Sequence, residues 1–442
     1  MTPIATTLVP RSSPSVWNVH VIADSDTRWK WGAAVSRRLV PGADVRVHAV
    51  LLQGRSVPND RQIGDVGYAS ASLRRATMSE LVLELADTDA DVVVLACVGG
   101  AVQALIRALS TAWRGRCTRP IVVTGYVGLV YERAVDGVLL RAGADLVLAN
   151  SAADARRFRA VFEAVDADPE TVVQTALPFL SGRPYDPTAA GRDRAFTTTF
   201  VTQPGVPETR DERKYAMAQV VEHAVRNPSR RVVVKLRGRP GERTTHVEPH
   251  RYSTMLANHR RPDNVELAYG SMSDVLDRTD LCVTVSSTAA IEAMHRLIPT
   301  AILTDFGIRE SLGNHVFLHS GAFASWSALH GGSVPKTDPG WAADNGVSDP
   351  DPFSAAARRV TALTHGSAQL PPLRAWWDAT DAAAYLPALL AKYGVDVFGV
   401  PLRAPAPASA SWPRRALRSN TRRAYHLAAR SVEPRLKRWA EL

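Results

Sequence analysis

Cysteine is scarce in this chain of 442 residues: Cys97, Cys117 and Cys282 are all it has, odd in number and far apart. Neither a disulfide scaffold nor a Cys-rich metal site is compatible with that usage. Long apolar runs are lacking as well. No stretch reaches the roughly 20 residues that a membrane-spanning helix needs. The opening MTPIATTLVPRSSPSVW has no basic start followed by a continuous apolar segment. No secretory signal is read there, residues 1–15 are expected to be disordered, and the location is expected to be cytoplasmic. Short-period repeats are missing too.

What is present is the composition of a globular protein, 45% apolar and 22% charged residues. A chain of this length exceeds what one core usually covers, so two domains are expected. The net charge of +10 would suit a nucleic-acid binder, but its placement does not. From Pro401 onward ten arginine and lysine residues face only Glu433 and Glu441, while the preceding 400 residues carry about +2. The body is nearly neutral and residues 401–442 form a basic appendage. Nucleic-acid recognition needs cations and stacking aromatics on the body, so no nucleic-acid partner is expected.

Strand and helix patterns alternate from Trp17 onward. WNVHVIA, VRVHAVLL, DVVVLAC, IVVTGY and ADLVLAN are short Val/Ile/Leu runs without polar alternation, separated by helical segments such as WKWGAAVSRRL and AVQALIRALSTAW. Such runs suit strands covered on both faces, as in a parallel sheet with crossover helices. SGRPYDPTAAGRDR at 181–194 reads as a linker. A second series follows through AFTTTFVTQP, RRVVVKL, LCVTVS and TAILTDF, with GGSVPKTDPGWAADNGVSDPDP at 331–352 read as irregular. The expected fold is α/β: a Rossmann-like domain over 16–182, a second over 195–370, closing helices over 371–400 and the basic tail over 401–442.

In DLCVTVSSTAAIEAMHRLIPTAIL a buried strand gives way to a helix through Ser286, Ser287 and Thr288. Ser286 or Ser287 is placed as an N-cap, a role worth about 1 kcal/mol. The other reading is a ligand site. Open parallel sheets bind ligands beyond the carboxyl ends of their strands, and a helix amino end favours anions. Glu292 adds a polar group to the same helix, and Ala289, Ala290 and Ala293 keep its surface small.

Strand, SST, small residues, Glu and then a strand after Pro299 resemble the nucleotide-phosphate site of GT-B glycosyltransferases. Within them the bacterial capsule sialyl/polysialyltransferase-like group is most similar, with TFVTQP, VVVKLRGRPGE and YGSMSDVLDRTDLCVTVSST in order over about 196–305. The resemblance implies two facing Rossmann-like domains and a nucleotide-sugar donor, a CMP-activated nonulosonate for this group. It departs at one point: where the group carries Lys or Arg followed by His-Pro, this chain reads KLRGRPGE. Lys235, Arg237 and Arg239 stand in that neighbourhood, and guanidinium groups can clamp phosphate oxygens. Gln203 and Gly205 are candidates for the donor phosphates; Tyr269 and Ser271 for the nucleoside edge.

If the second domain holds the donor, the reacting groups come from the first. VIADSDTRWKWG ends the first strand with Asp24, Ser25 and Asp26. Asp24 or Asp26 is the candidate general base for an acceptor hydroxyl, with helix capping by Ser25 or Asp26 as the structural alternative. Asp24-Ser25-Asp26 has the outline of a DxD metal motif, but the enzymes it resembles mostly act without one, so no metal or cofactor is expected. Arg28, Trp29, Lys30 and Trp31 either cover the acceptor or pack a helix onto the sheet. Gly125, Tyr126 and Gly128 are a second candidate wall, and His315 and His319 are candidates at the cleft.

The function expected is sugar transfer to a hydroxyl of a cell-surface glycan or lipid-linked acceptor. A sugar-nucleotide epimerase, a polyol-phosphate transferase or a non-catalytic binding protein on the same fold are the alternatives. The tail, with Trp412, Tyr425 and Trp439 among its arginines, either rests on anionic lipid at the inner face of the plasma membrane or is a solubilising extension.

Overall fold

Seven parallel strands form the first sheet: β1 Val16–Ala23, β2 Asp44–Leu52, β3 Ser72–Ala76, β4 Val92–Ala96, β5 Ile121–Gly125, β6 Leu146–Ala149 and β7 Val172–Gln174. Their order is β3-β2-β1-β4-β5-β6-β7. Six more form the second: β8 Thr197–Val201, β9 Arg231–Lys235, β10 Val265–Ala268, β11 Leu281–Thr284, β12 Thr300–Leu303 and β13 Phe323–Ala324, in the order β10-β9-β8-β11-β12-β13. The computed structural model describes residues 15–54, 58–65, 67–116, 118–130, 134–239, 250–257, 261–365, 370–374 and 385–402. The expected N-terminal disorder, the basic tail from 403 onward, Cys117 and the segment PGE beyond Arg239 lie outside those residues.

Every strand pair is parallel. The central strands β4, β5, β8, β11 and β12 are buried at every position, which is why their sequences show no alternation. The two-domain α/β architecture read from the sequence is the one the chain adopts. Both sheets reverse direction beside their first strand: between β1 and β4 in one, between β8 and β11 in the other. A crevice opens at the carboxyl end of such a reversal because the flanking connections leave to opposite faces.

Each sheet carries its own apolar layers. Ile22, Leu95 and Val122 face one layer of the first sheet and Val21, Val94 and Val123 the other. Phe200, Val234 and Val283 centre a layer of the second. Trp29 and Trp31 are fully buried on the helix Asp26–Arg38, so packing onto the sheet, rather than covering an acceptor, is what they do. The chain then crosses back. Phe353, just before the helix Ser354–His365, and Ala356 and Val360 on it join a core layer of the first sheet, and Leu386 and Leu390 join the other. Residues 354–365, reckoned from the sequence with the second domain, therefore sit against the first.

The stretch 331–352, read as irregular, contains a helix, Pro339–Asp344. Asp338 accepts from the Trp341 amide and proline occupies the first turn, a start signal that Pro and Gly density obscured. SLRRA carries no strand signal in the sequence, because β3 is a largely exposed edge with two arginines. Among the described residues no helix is long and apolar enough to cross a membrane.

Candidate functional site

The carboxyl ends of the two sheets meet at a cleft of about 480 Å³. From the first domain Asp26, Thr27, Lys30, Arg61 and Gly128 reach it; from the second come residues after β8, β9, β10 and β11. Fourteen of the residues singled out from sequence line this one space: Asp26, Lys30, Gly128, Gln203, Gly205, Lys235, Arg237, Arg239, Tyr269, Ser271, Ser286, Ser287, Thr288 and Glu292. Asp24, Arg28, Gly125, Tyr126, His315 and His319 are not among its lining.

The hydroxyl run after β11 divides its labour. Ser286, 2% exposed, receives a bond from Gln203 Nε2 at 3.1 Å and donates to the Leu312 carbonyl, while its amide donates to Gln203 Oε1 at 2.9 Å. Its polar atoms are occupied by the fold. Ser287 Oγ accepts from the Ala289 amide at 3.2 Å, and the Ser287 amide donates to Thr284 Oγ1 at 3.3 Å. The helix Ala289–His295 is thus largely capped from within, and its dipole is a weaker anion site than the sequence suggested. Thr288 itself makes no side-chain cap bond.

Five cations surround the cleft. Lys235, 6% exposed, donates from Nζ to the Leu236 carbonyl at 2.8 Å. Arg237 crosses between domains, with Nη2 2.6 Å from Thr27 Oγ1 and 3.7 Å from Asp26 Oδ1. Arg239 lies over the Tyr269 ring at 5.8 Å, and Lys30 over the Phe179 ring at 4.5 Å. Arg61 completes the set; its segment carries no pattern that sequence reasoning could have seized. Against these stand two carboxylates, Asp26 and Glu292.

Glu292 is 8% exposed, and its carboxylate receives no hydrogen bond among the described residues. Burial pushes its pKa up, and Lys30, Arg296 and Lys235 pull it back. A carboxylate held so close to a cleft is suited to accept hydroxyl donors from a ligand.

Asp24 has a different occupation. Its Oδ1 accepts from Arg28 Nη1 and its Oδ2 from the Val98 amide, both at 2.9 Å, tying the end of β1 to the turn after β4. Ser25 caps the helix Asp26–Arg38, which leaves Asp26 as the carboxylate at the cleft. Gly125 is a packing position: a Cβ there would lie 2.8 Å from the Leu148 carbonyl and from Trp31. Gly128 brings the domains together, since a Cβ would stand 3.0 Å from Thr288 Oγ1. Tyr126 stacks on buried Arg141, whose guanidinium binds the Gly125 carbonyl at 2.8 Å. His315 lies away from the cleft, and its Nδ1 has no partner among the described residues. No group of three or more His, Cys, Asp or Glu among the described residues is placed to hold a metal ion.

Two doubly wound domains facing one another across a cationic cleft define a GT-B-like protein. The chain belongs to the family described as "Putative glycosyltransferase (DUF6716)", whose model matches residues 19–363. Among solved structures, the UDP-GlcNAc 2-epimerase from Methanocaldococcus jannaschii is similar in fold, with a TM-score of 0.50 and 11% identity over 79% of this chain and 100% of that one. The Neisseria meningitidis UDP-GlcNAc 2-epimerase bound to UDP-GlcNAc gives 0.46 and 11%, covering 78% and 97%. The spinosyn rhamnosyltransferase SpnG gives 0.39 and 13%, covering 80% and 97%. No curated protein matches by sequence.

Proposed function

We propose that the protein transfers a sugar from a nucleotide-activated donor to a hydroxyl of a surface-glycan or lipid-linked acceptor. The observation that carries this reading is the cleft's composition: Lys30, Arg61, Lys235, Arg237 and Arg239 gathered around one space in a body that is otherwise nearly neutral. Such a concentration suits phosphates. The donor phosphates rest against Ser287, Thr288, Lys235 and Arg237, and Glu292 accepts hydroxyl groups of the nucleotide sugar. As the bond between the sugar and the donor phosphate breaks, negative charge grows on the leaving nucleotide. Fixed cations aimed at it lower the barrier without a metal.

Asp26 takes the proton of the attacking hydroxyl. It lies 3.7 Å from Arg237, and a donor phosphate competes for that guanidinium, releasing the carboxylate for the acceptor. Closure of the two domains excludes water. The donor favoured here is a CMP-nonulosonate, on the resemblance of residues 196–305 to sialyl/polysialyltransferase-like enzymes. The basic tail is read as holding the enzyme at an anionic membrane face. Pelleting with anionic liposomes, with and without residues 401–442, tests that part; equal pelleting removes it.

Thermal shift with CMP, CDP, UDP and GDP tests the donor site. A ligand present at about 100 times its Kd adds about 2.7 kcal/mol to apparent stability. No shift with any of the four overturns the reading. The rival on the same fold is a sugar-nucleotide epimerase, the activity for which the Methanocaldococcus jannaschii protein is named. Such an enzyme consumes the nucleotide sugar with no acceptor and releases an altered nucleotide sugar, so the products of acceptor-free reactions separate the two.

A further inference from the structure

We propose that Arg213, buried behind the cleft, is a positioning residue that aims the loop 203–207 at the donor phosphates; this rests on the donor reading above. The argument begins at the end of β8. Thr202 is pinned to β9 by its amide and its Oγ1, which both donate to the Lys235 carbonyl at 3.1 and 3.0 Å. The chain then runs Gln203-Pro204-Gly205-Val206-Pro207, and two prolines leave it few amide donors.

Arg213 stands in the first turns of the helix Arg210–Arg226 and is fully buried, yet it does not line the cleft. Its Nε donates to the Pro207 carbonyl at 2.7 Å, its Nη2 to the carbonyls of Pro204 and, at 3.5 Å, Gln203, and its Nη1 to that of His250 at 2.9 Å. The guanidinium is held 4.9 Å over the Tyr252 ring. A rigid fork of five donors is the side chain that can gather several carbonyls from one short loop.

Gathering them fixes where the amides point. In a trans peptide the C=O and the next N–H are antiparallel, and Val206–Pro207 is the only cis bond among the described residues. Drawing the Pro204 carbonyl onto Arg213 therefore turns the Gly205 N–H away from it. Gly205 lines the cleft, and its amide, like that of Val206, finds no acceptor among the described residues. Nothing lies within 4 Å of where a Gly205 Cβ would stand, so this glycine does not serve packing. It leaves room for a ligand to approach the backbone. On the other flank Gln203 is clasped to Ser286, so the loop and the hydroxyl run are held as one surface.

The test uses the full chain with CMP, CDP, UDP and GDP as probes. Selective ¹⁵N-glycine labelling, with Gly205→Ala to identify the resonance, follows the Gly205 amide during titration. The nucleotide that stabilises the protein is expected to move that amide. With a sugar conjugate of that nucleotide as donor, Arg213→Met is expected to raise KM about 10-fold with kcat changed far less, and Arg213→Lys, which can still serve one carbonyl, to restore part of the loss. A Gly205 amide that stays put at saturation overturns the proposal, as does an Arg213→Met enzyme with lowered Tm and unchanged KM. Should Arg213→Met not fold, the amide titration of the unaltered protein still decides. Failure of all four nucleotides to stabilise the unaltered protein is a different result and overturns the donor reading itself.

Discussion

Asp24 and Asp26 are two residues apart, and replacing each by asparagine should produce opposite phenotypes. Asp26→Asn keeps the shape of the side chain and removes its basicity. A positioned general base contributes about 10²- to 10⁴-fold, so kcat should fall by that range, roughly 3–5 kcal/mol in barrier height. The structural cost is small. The ion pair with Arg237 spans 3.7 Å between side chains 31% and 27% exposed, worth at most about 1 kcal/mol. The charge in the first helical turn adds about 0.3–1 kcal/mol. For a chain of 442 residues, with an unfolding entropy of about 0.9 kcal/mol/K, that is a Tm loss of at most about 2 °C. Donor affinity should hold or improve, since an anion leaves a cleft that binds phosphates. Asp24→Asn reverses the pattern. Both its oxygens are engaged, by Arg28 and by the Val98 amide at 2.9 Å, and asparagine offers only one acceptor oxygen. Loss of a charged hydrogen bond costs about 1.5–3 kcal/mol, while turnover per folded molecule stays near that of the parent. The measurements are Tm and nucleotide release from a sugar conjugate of the nucleotide that the thermal-shift screen selects. Turnover of Asp26→Asn within about threefold of the parent would refute the base assignment; turnover abolished in Asp24→Asn at unchanged Tm would exchange the two roles.

Ser286→Ala should lower stability by about 1–3 kcal/mol because it strips bonds from Gln203 and the Leu312 carbonyl. The double variant Ser287→Ala, Thr288→Ala should melt close to the parent and weaken nucleotide binding about 10-fold; equal behaviour of the two variants would contradict the division of labour seen here. Glu292→Gln tests the buried carboxyl. Its folded-state pKa is held above the ordinary 4.5 by burial, so its contribution to stability is complete below that value and declines as pH rises through the folded value. The glutamine variant should therefore match the parent in acid, exceed it in Tm at neutral pH and lose donor affinity; a parental pH profile would argue against the buried charge. His223 runs the other way. Burial, then His330 and Arg230, push its pKa down from 6.5 to about 4. The stability it confers is present above 6.5 and is lost as pH falls toward 4, about 3 kcal/mol in all. His223→Phe should flatten the Tm-against-pH slope across that window, and an unchanged slope would remove His223 as its cause.

The strand-helix alternation was legible because parallel strands buried on both faces leave runs without polar alternation, rich in Val, Ile and Leu in β4 and β5. The edge strand β3 and the helix Pro339–Asp344 were not, since the first buries little and the second hides among residues typical of loops. Fourteen candidate cleft residues could be picked out because each lies at the carboxyl end of a strand or in the first turns of chain beyond it, and in such sheets that edge is where chain and ligand meet. Sequence position alone thus set the two domains, the edge that carries chemistry and the cationic character of the segment 235–239. Tertiary structure decided which polar groups remain available. Ser286 and Asp24 sit in the same motifs as Ser287 and Asp26, yet the fold consumes the hydrogen-bonding capacity of the first pair and leaves the second pair at the cleft. Arg213 and Arg61 drew no notice in the sequence, because whether a guanidinium gathers loop carbonyls or borders a cleft depends on partners that are distant along the chain and adjacent only after folding.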